Sequence, residues 1–130
     1  MNSFMLMAGS LFGALAVALG AFGAHGLKKI VPPETVATFQ TGVQYQMYHA
    51  IVLLVIGFFA QRADSSLLKW AGICMIAGIL LFSGSLYLLT ILKVKNTVGL
   101  SGIGIITPFG GLFFIAGWLL LFFAVYKSIR

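Results

Sequence analysis

Apolar residues fill this chain in four long blocks, and the polar breaks between them are brief: Gly23 to Lys29, Gln61 to Ser66 and Lys93 to Asn96. The first block, about Phe4 to Ala24, matches the roughly 20 apolar residues that a helix needs to cross a bilayer. Gly9, Gly13, Ala16, Gly20 and Ala24 recur three or four residues apart in it, so one face is small enough for another helix of the chain to approach closely. Gly26 is expected to supply a left-handed cap, with Lys28 and Lys29 at the negative helix end. Although Ala21 to Ala24 resembles a small-residue cleavage site, no basic residue precedes the block and it exceeds a signal core, so it reads as a span.

The second block is different. Pro33 and Glu34 suit a helix start, but the plainly apolar part runs only from Ala50 to Ala60, about half of what a bilayer demands. Something polar must therefore enter the membrane, and the preceding stretch, Thr38 to His49, is crowded with it. At about 100° per residue its polar side chains sweep an arc from Gln40 through Gln44, Tyr48, Thr41, Tyr45, Thr38 and His49 to Gln46, leaving a narrow apolar strip. The span is predicted over about 42–60, with Thr35 to Thr41 as an amphipathic lead-in partly in the interface.

Two further spans are predicted over about 67–92 and 108–126. The first has Trp70 near one interface and Ser83, Ser85, Tyr87 and Thr90 in its second half; the second has Pro108 as an early position. The uncharged, Gly-rich stretch 96–107 between them reads as a surface loop or a shallow re-entrant segment. The expected fold is thus an all-α membrane protein, a four-helix transmembrane bundle with short loops forming one domain over 1–130. Threading the spans puts His25, the start of the second helix, the polar end of the third and Thr107 on one side. A polar cluster in one leaflet follows, opposite an almost purely apolar half.

Composition sharpens this picture. The 130 residues are 61% hydrophobic and 8% charged, with a mean hydropathy of +1.10, where soluble domains carry about 25% charged residues. The net charge of +6 comes from Lys and Arg placed singly or in pairs at the block ends, as anchors to lipid phosphates rather than as a clustered nucleic-acid face. The lipid bilayer is the expected partner, in the cell membrane, and nucleic acid is not. Arg62, Lys69, Lys127 and Arg130 on one side balance Lys28, Lys29, Lys93 and Lys95 on the other. With the N-terminal amine added, the positive-inside rule leans to both termini inside, and dual topology with antiparallel dimers is the alternative. Cys74, the sole cysteine, allows no intrachain disulfide and reads as an inert core thiol.

The candidate site is the set His25, Gln40, Thr41, Gln44, Tyr45, Tyr48 and His49, with Tyr87 and Thr90 as partners across the bundle. Interhelical hydrogen bonding is weighed against a pocket for a small polar solute or lipid headgroup. His25 and His49 are the only imidazoles, and both fall on the polar side, where they could approach. With acids only at Glu34 and Asp64 they lack ligand spacing, and neither a metal nor a cofactor is expected. No nucleophile, base and orienting acid can be assembled, so an enzyme is not expected either.

Four segments, FGAHGL (Phe22 to Leu27), TFQTGVQYQMYHA (Thr38 to Ala50), LFSGSLYLL (Leu81 to Leu89) and ITPFGGLFFIAGW (Ile106 to Trp118), resemble the YgdD and YwdK-like family of small bacterial multi-pass inner-membrane proteins. The resemblance implies four membrane helices and brings no catalytic residues with it. The leading functional expectation is a non-enzymatic assembly or accessory subunit, meeting a membrane-protein partner or a homo-oligomer through the polar cluster. The alternative is a solute-, ion- or lipid-handling protein with a half-depth polar pocket.

Overall fold

The computed structural model describes residues 2–63, 65–95 and 104–129. Four long helices make up almost all of them: α1 (Asn2–His25), α2 (Pro33–Ala60), α3 (Ser66–Val94) and α4 (Ile106–Ser128). All four are long and apolar enough to span a bilayer. Of the Gly-rich stretch left as loop or re-entrant segment, 96–103 lies outside the described residues, as does Asp64 of the polar turn.

The helix ends follow local chemistry. Pro32 is extended and its carbonyl accepts from the Thr35 and Val36 amides, so α2 starts at Pro33, where a missing N–H is harmless. Thr35 to Thr41 is therefore continuous with the span in one unbroken helix. Ser65 caps α3 by accepting from the Leu68 amide. Gly26 departs from expectation: its φ of −72° is right-handed, and the chain tightens into a 3-10 turn over Leu27–Lys29 instead of capping α1. Leu27, 1% exposed, plugs that turn into the bundle, and Gly26 is small because Phe22 packs over it.

The helices are arranged with α2 and α3 at the centre. In their most apolar windows, 44% and 39% of residues are buried, against 17% in α1 and in α4, so the outer helices present most of their surface to the surroundings. Close approach is set by glycine. A methyl group at Gly9 would lie 2.8 Å from the Ala50 carbonyl oxygen, one at Gly78 2.3 Å from Phe114, and one at Gly110 2.3 Å from the Phe82 backbone nitrogen. Small residues thus serve packing within the chain.

Midway along α3, residues Ile79–Ser83 form a π-helical turn between α-helical halves Ser66–Gly78 and Gly84–Val94. Such turns rotate the residues that follow relative to those before. Here the turn carries Phe82 against α4 at Gly110 and Ser83 against α2.

One core cluster is purely apolar: Met5 of α1, Val52, Leu53 and Ile56 of α2, Leu68 to Ile79 of α3, and Phe114, Leu121 and Ala124 of α4. It fills the half of the bundle expected to be apolar. A smaller cluster of Ala16, Leu27, Phe39 and Val43 lies toward the Lys28 end.

Candidate functional site

Depth comes first. Glu34 and Arg62 bracket α2 28 residues apart, about 42 Å of helix, against roughly 30 Å of hydrocarbon. Tyr48 and His49 lie at the midpoint. The polar groups of α2 therefore run from its Glu34 end to its midpoint, where hydrocarbon offers no water to an unpaired group.

At that depth Gln46, 3% exposed, joins three helices. Its amide nitrogen donates to the Phe12 carbonyl of α1 at 2.8 Å, and its oxygen accepts from the Tyr87 hydroxyl of α3 at 2.6 Å. Tyr87 reaches it because Gly42 leaves room: a methyl there would stand 3.0 Å from the ring. Ser83, fully buried at the π-turn, donates to the Gly42 carbonyl at 2.7 Å. Gln40 donates to the Gly20 carbonyl at 3.1 Å, its amide occupying the gap left at Gly23.

His49, 4% exposed, ties α2 to α4. Its Nδ1 lies 2.6 Å from the Tyr45 carbonyl one turn back, and its Nε2 accepts from the Trp118 indole N–H at 3.2 Å. A carbonyl on one side and an N–H on the other fit only the neutral imidazole with its proton on Nδ1. The ring lies flat on Phe114, centroids 3.6 Å apart and planes 7° apart. Tyr45 continues the stack onto Phe82 at 4.6 Å. Replacing Trp118 by Phe keeps the ring and removes the donor. The expected loss is about 0.6 kcal/mol for the interhelical bond and about 1 kcal/mol or more for leaving the buried His49 Nε2 without a donor, read as a lower midpoint in a denaturing-detergent titration.

The expected site residues divide into three groups. Gln40, His49 and Tyr87 point inward and bond across helices. Thr41 and Thr90 bond the carbonyls one turn back in their own helices, Ala37 and Leu86, so Thr90 is no partner to the cluster. Gln44, Tyr45 and Tyr48 lie on the exposed face of α2, Tyr48 with 54% of its surface open.

His25 stands apart. The register that sets Gln46 against Phe12 and Gln40 against Gly20 leaves His25 some fifteen residues of α1, about 22 Å, from the level of His49. It is exposed and bonds the Ala21 carbonyl of its own helix. The approach of the two imidazoles does not occur. Among the described residues no three His, Cys, Asp or Glu side chains gather as a metal site.

Gln46, Ser83 and Trp118, together with the Ser85–Thr107 hydroxyl pair between α3 and α4, bond across helices and lie outside the site that sequence reasoning gives. For Gln46 the signal was present: its spacing of three from His49 puts both on one face. That face competes, however, with the equally regular Gln40, Gln44, Tyr48 series.

Fold and site together define a small multi-pass membrane protein, four helices tied at mid-depth by side-chain hydrogen bonds. Residues 19–111 match the protein family described as "Protein of unknown function (DUF423)", and the chain belongs to that family. It is 43% identical to the UPF0382 membrane protein YwdK of Bacillus subtilis (strain 168), over 99% of this chain and 100% of the relative. It is 39% identical to the UPF0382 membrane protein SAB0533 of Staphylococcus aureus (strain bovine RF122 / ET3-1), over 98% of each. To the UPF0382 inner membrane protein YgdD of Escherichia coli (strain K12) it is 37% identical, over 92% of this chain and 87% of the relative. No solved structure matches it. The resemblance seen in the four sequence segments is thereby shown, and with it a multi-pass location in the cell membrane.

Proposed function

We propose that this chain is a non-enzymatic assembly or accessory subunit that engages another membrane-embedded protein chain through the outward face of α2. The observation that carries the reading is the division of labour among the polar groups. Gln46, His49, Ser83 and Tyr87 bond within the chain, and both nitrogens of His49 are engaged in those bonds. Gln44 and the Tyr48 hydroxyl stand on the outer face with no hydrogen-bond partner among the described residues. An amide exposed to hydrocarbon costs several kcal/mol, and a partner helix removes that cost.

The test separates the two groups. Gln44→Leu is expected to leave the stability of the purified protein unchanged or higher while abolishing co-purification with its partner from mild detergent. His49→Leu is expected to lower stability itself. Should both variants stay folded and keep the same partner, the assembly reading fails.

A second reading is favoured by one feature, a groove of about 560 Å³ between α2 and α4, lined by Tyr45, Tyr48, His49, Ile51, Val52 and Trp118 and open sideways to the membrane. It suits a lipid or small solute. Reconstituted protein that neither protects a bound lipid nor moves a solute across vesicles at any pH would retire this reading.

A further inference from the structure

Among the exposed residues of α2, Gln44, Tyr48, Ile51, Val55 and Phe58 form a stripe three or four apart. Beside it, toward α1, lies a hollow of about 240 Å³ floored by small residues, with Gly9, Ser10, Gly13 and Ala14 on its α1 wall. A Cβ at Gly13 would meet nothing within 4 Å, so the α1 wall faces open space there.

Resting on the assembly reading above, we infer that the partner of this face is a second copy of the same chain, related by a two-fold axis along the membrane normal, with Gln44 hydrogen-bonded to Gln44 of the other copy.

Three features on the one face point to that occupant. A glutamine amide carries both donor and acceptor, and a phenol does too, so each satisfies its own image across a two-fold axis. Isologous contacts need a surface complementary to itself, and here the ridge of Tyr48 and Ile51 lies next to a hollow able to receive the same ridge. Depth is the third. Gln44, ten residues from Glu34 on α2, lies about 9 Å inside the hydrocarbon boundary. Its side chain leans toward the helix N-terminus, which shortens that distance without closing it. A second copy in the same orientation brings an amide to the identical depth. An antiparallel copy would set Gln44 opposite residue 52, between Ile51 and Val55, and leave both amides in hydrocarbon. The pairing thus selects one orientation, which the balanced Lys and Arg do not.

The test uses full-length protein with Cys74→Ala, purified and reconstituted in phosphatidylethanolamine and phosphatidylglycerol vesicles so that this chain is the only protein present. With copper phenanthroline, Gln44→Cys is expected to form a covalent dimer, while Leu119→Cys, exposed on α4, stays monomeric. Adding Gly13→Leu, which puts bulk into the hollow at a position where a Cβ meets nothing within 4 Å, should return Gln44→Cys to the monomeric background with unchanged helical circular dichroism. A dimer formed only when Gln44→Cys is mixed with Val55→Cys overturns the parallel arrangement. Monomer under every condition from folded protein overturns the second copy. A benzophenone side chain at position 48 in native membranes then decides the broader reading. An adduct with a different protein leaves the assembly subunit standing, and adducts with lipid alone remove both.

Discussion

Gly110→Ala is expected to destabilise the protein by about 2 kcal/mol or more, whereas Gly111→Ala, one residue on, is expected to be neutral or stabilising. In the interior of α4 an alanine would ordinarily gain about 1 kcal/mol over glycine in helix propensity. At Gly110 that gain is overwhelmed. The new methyl would sit 2.3 Å from the Phe82 nitrogen and 2.7 Å from its Cα, both backbone atoms of the π-turn that cannot swing aside. Overpacking of this kind costs about 1–3 kcal/mol. At Gly111 the nearest neighbour is Cδ2 of the Phe82 ring at 4.0 Å, an ordinary contact. Denaturing-detergent titrations of the two variants check the pair. Equal stabilities would mean that α4 does not press on the π-turn.

Gln46→Leu is the second large effect, about 2 kcal/mol. Two interhelical bonds disappear, each worth about 0.6 kcal/mol, and the Tyr87 hydroxyl loses its 2.6 Å acceptor in a dry setting with only Ser83 beside it, a penalty of about 1–3 kcal/mol. The Phe12 carbonyl loses less, since it still belongs to the backbone ladder of α1. Asymmetry between the partners gives the diagnostic. Adding Tyr87→Phe to Gln46→Leu removes the orphaned hydroxyl and should recover about 1 kcal/mol, so the double variant is expected to be more stable than Gln46→Leu alone. If the second change adds a further loss instead, the Tyr87 bond to Gln46 is not part of what holds α3 to α2.

Much of the architecture was readable from the chain itself. Hydrocarbon thickness turns length and hydropathy directly into four spans, and Pro33 with Glu34 marks a helix start. The shortage of apolar residues ahead of Ala50 likewise required polar groups inside the membrane. Inward and outward were harder to tell apart. Around Gln40 to His49 most of the circumference is polar, so periodicity has no direction to report, and the regular Gln40, Gln44, Tyr48 series mixes an inward residue with two outward ones. The π-turn had no sequence signal beyond the neighbouring Ser83 and Gly84. It displaced α3 enough to bring Ser83 to Gly42 and Phe82 to Gly110.

What the sequence by itself determined is the number of spans and the presence of polarity inside them, because each depends only on neighbouring residues and a membrane of fixed thickness. Which polar groups pair, at what depth, and which are left facing out was decided by the tertiary structure. Those choices depend on gaps left by distant residues: Gly23 for Gln40, Gly42 for Tyr87 and the π-turn, and Gly110 for Phe82, whose ring then supports Tyr45 beside His49. A glycine so far away along the chain carries no local mark of the side chain that will fill the space beside it.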